Sequence, residues 1–201
     1  MRIVRFYVPR LGIRLGVVED DEVIDITRIA GTKTTSFLQL VRFAYREGLS
    51  VSSFLEKRLR KRSARRYRYA ELDAEPDGNR PHLIIPITPP EVWGAGVTYL
   101  RSKNAREYET RAKGVYDRVY EAERPEIFLK ATKSRCVGPN QEVCIRSDSS
   151  WTVPEPELSL VLGPDLEIAG YTVGNDVSAR DIEGENPLYC PQPKIYKNAC
   201  A

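Results

Sequence analysis

The chain of 201 residues contains little histidine, and this scarcity limits its chemistry. His82 is the single histidine, so one chain cannot form a zinc site from several imidazoles. It lies in the apolar, strand-like run 81–85, where we expect a structural role for it. The four cysteines include no Cys-x-x-Cys pair, and we expect them to be inert thiols. Catalysis would therefore depend on carboxylates, lysines and a bound metal ion.

The sequence also lacks long apolar runs. No run approaches the roughly 18 to 20 residues that are needed to span a bilayer. Charged residues interrupt the N-terminal stretch 1–6 too early for a signal peptide. Hydrophobic residues make up 41% of the sequence, which is enough to form a buried core. We therefore expect a globular, cytoplasmic protein that does not bind a membrane.

Alternation and helical periodicity predict the elements of the first half of the chain. We expect three short strands at 2–8, 11–18 and 22–26. Two helices should follow, one from Ser36 and one from 52–53, and a single long charged helix should span 104–123. Proline, glycine and aspartate are frequent between 70 and 90, which is typical of a boundary. We place a small N-terminal α/β region at 1–80 and a catalytic domain at 81–201.

A dense basic segment extends from Lys57 to Arg68, where eight of twelve residues are lysine or arginine. Such a segment could bind nucleic acid phosphates, with Tyr67 and Tyr69 available for stacking. No nucleic-acid motif accompanies it. We therefore favour a solvated helix end, paired with acidic surface or packed against an oligomer neighbour, and we do not expect nucleic acid as a partner.

Three carboxylates are the main candidates for chemistry. Glu155 and Glu157 are two residues apart, which on a strand places both on one face, roughly 6 to 7 Å apart. A turn at 163–166 predicts a hairpin in which Gly174 faces Glu155 and Asp176 lies on the same face. Three converging carboxylates suit a hard cation such as Mg²⁺ or Mn²⁺. Exposed strand carboxylates, with Asp176 capping a turn, are the alternative.

Two motifs resemble the metal-binding core of the fumarylacetoacetate hydrolase superfamily. They are Pro154-Glu155-Pro156-Glu157-Leu158 and the segment 170–181, which reads GYTVGNDVSARD. The segment 124–132 is similar to the Pro-Glu-x-Phe-x-Lys strand of that family, and the resemblance is densest over 91–201. It implies an α+β fold in which a mixed β-roll with flanking helices follows the small N-terminal α/β region.

Within the superfamily, the stretch 181–196, together with 124–126 and 146–151, is most similar to the 2-keto-3-deoxy-D-arabinonate dehydratase branch. This resemblance implies Mg²⁺-dependent dehydration of 2-keto-3-deoxy-D-arabinonate to 2,5-dioxopentanoate in pentose catabolism. The C–C bond hydrolases of the superfamily have in common a histidine after the strand that corresponds to residues 97–99 of this chain. Residues 100–105 contain no histidine, which disfavours hydrolysis.

The resemblance also assigns roles to single residues. It implies that Mg²⁺, or alternatively Mn²⁺ or Ca²⁺, binds to Glu155, Glu157 and Asp176. Acid/base groups would be Glu126 and Lys194. Lys130 would lie near the substrate carboxylate, with a structural ion pair as an equally weighted alternative.

Several alternatives to this function remain open. The same metal core could serve another reaction of a 2-keto acid, namely acylpyruvate hydrolysis, oxaloacetate decarboxylation or dienoate isomerisation. Nucleic-acid binding through 57–68 and an inactive metal-binding chain are further alternatives. The resemblance also implies a homo-oligomer. Because similar proteins continue beyond the position matching Ala201, it predicts that the chain is truncated at its C-terminus.

Overall fold

The computed structural model describes residues 1–59, 64–109 and 114–201. These residues form a mixed α+β structure that divides into two compact units. The first unit comprises Met1–Thr88, Gly138–Gln141 and Leu158–Thr172, and the second comprises Pro89–Val137, Glu142–Glu157 and Val173–Ala201. Within the described ranges, no helix has the length and apolar character that crossing a lipid bilayer requires.

The strands are β1 Arg2–Val8, β2 Gly12–Glu19, β3 Glu22–Asp25, β4 Arg66–Arg68, β5 His82–Ile84, β6 Glu91–Ala95, β7 Ile127–Thr132, β8 Thr152–Val153, β9 Pro156–Leu162, β10 Ile168–Asn175 and β11 Ser178–Ala179. The helices are α1 Phe37–Arg46, α2 Val51–Leu59, α3 Tyr69–Leu72, α4 Leu100–Glu109, α5 Val115–Glu121, α6 Arg180–Glu185 and α7 Pro191–Lys194. Short 3₁₀ helices span Lys133–Arg135 and Pro187–Tyr189.

The first unit contains an antiparallel five-stranded sheet with the order β4-β3-β2-β1-β5. The three strands predicted at the N-terminus are confirmed as β1, β2 and β3. Helix α1 buries Phe37, Leu40, Val41 and Ala44. Their i, i+3, i+4, i+7 spacing forms the stripe that packs into the core of this unit. Gly48, at φ 64°, closes the helix by donating its N–H to the Tyr45 carbonyl over 2.9 Å.

His82 has the structural role expected from its sequence context. It is 8% exposed on β5. Its Nδ1 lies 3.0 Å from the Arg80 carbonyl, and its ring is tilted against that of Tyr7 at a centroid distance of 5.3 Å. These contacts hold the imidazole in the packing of the first unit.

Three of the described basic residues in the segment 57–68, namely Arg58, Arg66 and Arg68, are paired with acidic side chains. Arg58 forms an ion pair with Glu47 and lies over the Phe54 ring, 3.8 Å from its centroid. Arg66 contacts Glu22 over 2.9 Å. Residues 60–63 of the segment lie outside the described ranges, and three of them are basic: Arg60, Lys61 and Arg62. Since nucleic acid phosphates would have to compete with these carboxylates, the pairing favours the solvated, ion-paired interpretation.

The single helix expected over 104–123 is wrong. The structure has two helices, α4 and α5, and residues 110–113 between them lie outside the described ranges. Gly114 has φ 73° at the start of α5, a left-handed conformation that a continuous α-helix cannot contain. Lys103 of α4 contacts Asp117 of α5 over 2.9 Å, so an ion pair joins the two helices. The charged periodicity concealed this break because it continues on both sides of it.

Strands β9 and β10 form the expected hairpin, but its turn is longer than the two-residue loop predicted. The Leu166 N–H donates to the Gly163 carbonyl over 3.1 Å, and the Gly163 N–H donates to the Glu167 carbonyl over 2.8 Å. Leu166 has φ 63°, the left-handed conformation that follows a type I turn in a three-residue hairpin loop. The extra residue changes the alignment of the two strands.

The hairpin carries large apolar side chains that are exposed in this chain. Leu158, Leu160 and Leu162 alternate along β9 and are 47–64% exposed, whereas Val161 between them is buried. Tyr171 and Val173 of β10 are exposed as well. Exposed apolar side chains that alternate along one strand are typical of a surface that another polypeptide covers.

Candidate active site

The backbone places Asp176 next to Glu155. Strands β8 and β11 pair antiparallel, with Ser178 opposite Val153. The Asp176 N–H continues this pairing by donating to the Glu155 carbonyl over 2.9 Å. The predicted register, which set Gly174 opposite Glu155, is therefore wrong by two residues. Glu155 and Asp176 still lie on the same face, because a shift of two residues leaves the faces of both strands unchanged.

One cavity in the second unit is lined by five of the six residues predicted for the site. These are Glu126, Glu155, Glu157, Asp176 and Lys194. Its wall also contains Tyr99, Tyr116, Phe128, Glu183 and Cys190. Carboxylates, one lysine and aromatic rings therefore meet in a common space. The sixth predicted residue, Lys130, is not part of the lining.

Lys194 lies at the centre of the charged groups. It is 2% exposed, and its Nζ lies 3.2 Å from Glu155 Oε1 and 2.9 Å from Asp176 Oδ2. The Ser178 hydroxyl lies 2.6 Å from the same nitrogen, and Glu183 Oε1 lies 3.5 Å from it. Lys194 follows two prolines in α7, Pro191 and Pro193, and Pro193 is buried beside it. This short rigid helix fixes the lysine among three carboxylates.

Lys130 is buried behind this arrangement. Its Nζ lies 2.6 Å from Asp176 Oδ1 and donates to the carbonyls of Val177 and Lys194 over 2.8 and 2.7 Å. Burial lowers the pKa of Lys130, and the neighbouring Asp176 opposes that shift. This geometry favours the structural ion pair over a contact with the substrate.

Glu157 experiences the repulsion expected of converging carboxylates. Burial raises its pKa, and the negative charges of Glu155 and Asp176 raise it further. A hydrogen bond from Tyr99 and the charge of Lys194 act in the opposite direction. The raised pKa of Glu157 therefore reflects burial first and the neighbouring carboxylates second.

The donor set fits a hard divalent cation. Among the described residues, no three histidine, cysteine, aspartate or glutamate side chains are already gathered as a metal site. Instead, Lys194 lies between the carboxylates, and Lys130 contacts Asp176 from behind. Asp176 Oδ1 is buried and makes no hydrogen bond of acceptable geometry within the described residues, although the Lys130 ammonium is close to it. Oxygen ligands with free lone pairs and excess negative charge are what Mg²⁺ and similar ions require.

Glu126 lines the cavity beside Gly96, a glycine in the turn that follows β6. The Gly96 N–H donates to the Glu126 carbonyl over 3.0 Å. A Cβ atom at Gly96 would clash with the Glu126 carboxylate, at 2.9 Å from its Cδ. Cys190 also lines the cavity, and burial raises the pKa of its thiol to about 11, with the negative charge of Glu126 as the second cause of the increase. Cys190 therefore remains protonated and serves as an apolar surface near neutral pH.

Two charged residues of the site, Glu183 and Arg180, were not predicted from the sequence. Glu183 is 8% exposed and lies 3.6 Å from Arg180, which in turn contacts Glu155 over 2.9 Å. The available signal was the i, i+3 spacing of Arg180 and Glu183 directly after the Asp176 segment. Asp181 fixes the start of α6: desolvation raises its pKa, but hydrogen bonds from Ser149, Ser150 and Ile182 lower it to about 2.

Curated relatives match about three fifths of the chain. A 2-dehydro-3-deoxy-D-arabinonate dehydratase of Saccharolobus solfataricus is 54% identical over 123 residues, which are 59% of this chain and 41% of that protein. A Haloferax volcanii protein, named "Probable 2-keto-3-deoxyxylonate dehydratase", is 55% identical over 120 residues, which are 60% and 41% of the two chains. No family model matches the chain.

The solved structures agree with the curated relatives. A 2-keto-3-deoxy-D-arabinonate dehydratase complexed with magnesium and 2,5-dioxopentanoate superposes with a TM-score of 0.73 at 36% identity, over 100% of this chain and 64% of that one. The resemblance to the fumarylacetoacetate hydrolase superfamily is confirmed. A fumarylacetoacetate hydrolase of Exiguobacterium antarcticum has a similar fold, with a TM-score of 0.63 at 21% identity, over 100% of this chain and 64% of that one. The chain spans about two fifths of the length of the curated relatives it matches.

Proposed function

We propose that the intact protein dehydrates 2-keto-3-deoxy-D-arabinonate, or a closely related 2-keto-3-deoxypentonate, to 2,5-dioxopentanoate with Mg²⁺ as cofactor. The observation that carries this proposal is the common cavity of Glu126, Lys194 and the three carboxylates. Relatives that are 54–55% identical over the matched part of the chain, and are named for this chemistry, support it.

The proposal assigns the cation to Glu155, Glu157 and Asp176. When bound, Mg²⁺ supplies positive charge for the carboxylate and keto oxygens of a 2-keto acid. The chain's own acid/base groups are Glu126 and Lys194, which we propose take the proton from C3 and deliver a proton to the hydroxyl that leaves C4. The same groups would then move a proton from C5 to C3, and the resulting enol tautomerises to the C5 aldehyde of 2,5-dioxopentanoate. Phe128 and Tyr116 line the same cavity and exclude water from these transfers.

The decisive experiment is a coupled assay. The protein is incubated with 2-keto-3-deoxy-D-arabinonate and Mg²⁺, and 2,5-dioxopentanoate is followed through its aldehyde. Product formation that requires Mg²⁺ is the expected result. Acylpyruvate and oxaloacetate are assayed in parallel, because turnover of either, without dehydration of the sugar acid, would overturn the assigned reaction in favour of another member of the superfamily.

Glu157→Gln is expected to weaken Mg²⁺ binding by more than about 100-fold, because changes that only support metal ligands already cost roughly 10–100-fold. Protons compete with the metal at Glu157, and its pKa is raised. Mg²⁺ affinity of the unaltered chain should therefore fall as the pH drops through that raised pKa, and the variant should lack this step. Calorimetric titration across pH measures both effects. Glu142→Gln, at an exposed carboxylate of the same unit, is the control, and equal affinities of the two variants would exclude Glu157 as a ligand.

Gly96→Ala is expected to lower turnover by up to about 100-fold, because the new methyl group displaces the Glu126 carboxylate from its position. Steady-state kinetics measures this, and the unfolding midpoint shows whether the fold persists. Gly78→Ala is the matched control, since nothing lies within 4 Å of the added methyl group there. Unchanged turnover in Gly96→Ala would contradict the role of Glu126.

We also propose the finer architecture that the resemblance implies: a mixed β-roll formed by residues 81–201 and preceded by an α/β region at 1–80. A homo-oligomer is proposed as well. The exposed leucines of β9 support it, because a second copy would remove their side chains from water. Sedimentation velocity should then give a species larger than the 22.9 kDa chain, and a single species of 22.9 kDa would contradict it.

A further inference from the structure

Two of the four cysteines lie side by side, beyond the site described above. Cys136 and Cys200 are paired in a parallel β-bridge. The Val137 N–H donates to the Cys200 carbonyl over 2.9 Å, and the Cys200 N–H donates to the Arg135 carbonyl over 3.4 Å. Backbone bonds on both sides of Cys136 therefore hold the two residues in register.

The bridge brings the two cysteine side chains to the same side of the paired backbone. In a parallel pair the side chains of bridged residues point to the same side, and neighbouring strands are roughly 4.8 Å apart. This separation lies within the Cα distances of about 4.4 to 6.8 Å that disulfides span. The Cys136 thiol donates to the Thr132 carbonyl over 3.5 Å, beside the bridge. Both cysteines are free in this structure.

We propose that Cys136 and Cys200 form a reversible intramolecular disulfide. The oxidant is a small disulfide such as glutathione disulfide. Cys136, the more exposed of the two, attacks one glutathione sulfur as the thiolate, forms a mixed disulfide and releases one glutathione thiolate. Cys200 then loses its proton, attacks Cys136 Sγ and releases the second glutathione. Two electrons pass from the two cysteines to glutathione, and the two thiol protons accompany them.

The surroundings make Cys136 the attacking thiol. Cys200 is 8% exposed, whereas Cys136 is only partly buried. The neighbouring Cys200 thiol lowers the pKa of Cys136, burial opposes this shift, and the Lys130 charge adds to it. The thiolate forms more readily at the position that a small oxidant reaches first.

The disulfide would connect the redox state of the solution to the segment that carries Asp176. Cys200 is bridged on its other side to Asp176. The Asn175 N–H donates to the Ala201 carbonyl over 2.8 Å, and the Val177 N–H donates to the Ala199 carbonyl over 3.1 Å. A cross-link at Cys200 therefore restrains the strand against which the Asp176 segment is hydrogen-bonded.

Thiol titration and peptide mapping of the unaltered protein test the disulfide. After glutathione disulfide treatment and denaturation, the number of titratable thiols should fall from four to two, a cross-linked peptide should join Cys136 to Cys200, and dithiothreitol should restore all four. Cys200→Ser should instead retain one glutathione on Cys136. Four remaining thiols, or a cross-link through Cys144 or Cys190, would overturn the proposal.

Hydrogen exchange tests the link to the site without requiring catalysis. The Asn175 and Val177 amides should exchange more slowly in the oxidised protein than in the reduced protein. The amides of β1 and β2 in the first unit are the internal reference, since they lie outside the unit that contains the disulfide. Equal rates at Asn175 and Val177 in the two forms would show that the cross-link does not restrain the Asp176 segment.

Discussion

Asp176→Asn is expected to lower the free energy of unfolding by about 3–5 kcal/mol, the usual cost of removing one partner of a buried ion pair. Asp176 contacts Lys130 over 2.6 Å and Lys194 over 2.9 Å, and both lysines are 2% exposed. Asparagine keeps the size of the side chain but leaves the Lys130 ammonium with carbonyl oxygens alone. Urea unfolding of the metal-free protein measures the change.

Two further variants distinguish this effect from a general loss of carboxylate. Glu157→Gln neutralises a carboxylate whose pKa is raised, so it relieves repulsion and should leave stability equal or higher. Replacing both partners, Lys130→Met with Asp176→Leu, should be milder than Asp176→Asn alone, because no buried charge is left unpaired. If Asp176→Asn and Glu157→Gln unfold at the same urea concentration, the ion pair does not stabilise the fold.

Lys194→Ala is expected to reduce turnover by about 10²- to 10⁴-fold, which is the range that a positioned acid/base group contributes. Mg²⁺ affinity should be retained or increased, because the variant removes an ammonium group that competes for Glu155 and Asp176. Steady-state kinetics and calorimetric titration separate the two effects. A loss of both activity and metal binding would indicate that Lys194 only supports the structure.

Lys197→Ala is the control for this variant. It removes the same charge three residues later, at an exposed position outside the cavity. Its turnover should equal that of the unaltered protein. Undiminished turnover in Lys194→Ala itself would remove this lysine from the mechanism.

The parts of the fold with a local cause could be predicted from the sequence. Alternation predicted β1, β2 and β3 closely, and the stripe from Phe37 to Ala44 predicted α1, because each pattern reflects which side of one element is buried. The break before Gly114 and the bulged turn at Leu166 were missed. In both, a left-handed residue changes the chain direction, and for leucine the sequence contains no sign of it.

The sequence predicted which residues form the candidate site better than it predicted their contacts. The motif around Glu155 and the motif ending in Asp181 each placed a carboxylate on a known face, so the shared cavity followed. The contacts of Lys130 and Lys194 with Asp176 could not be derived, because they join residues 18 to 46 positions apart through packing of separate elements. Glu183 was overlooked since its partner, Arg180, was regarded only as part of a motif.

The position of the two buried lysines has a consequence for how the protein responds to chelators. Lys130 and Lys194 act as internal counter-ions, so that Glu155 and Asp176 are neutralised before any dication arrives. Small zinc domains unfold when their metal is withdrawn, because nothing else balances their ligands. Here the cation at the cavity would be exchangeable without unfolding, and stripping it should cost only the stabilisation that ligand binding adds by mass action. Metal binding and folding would then be two separate steps.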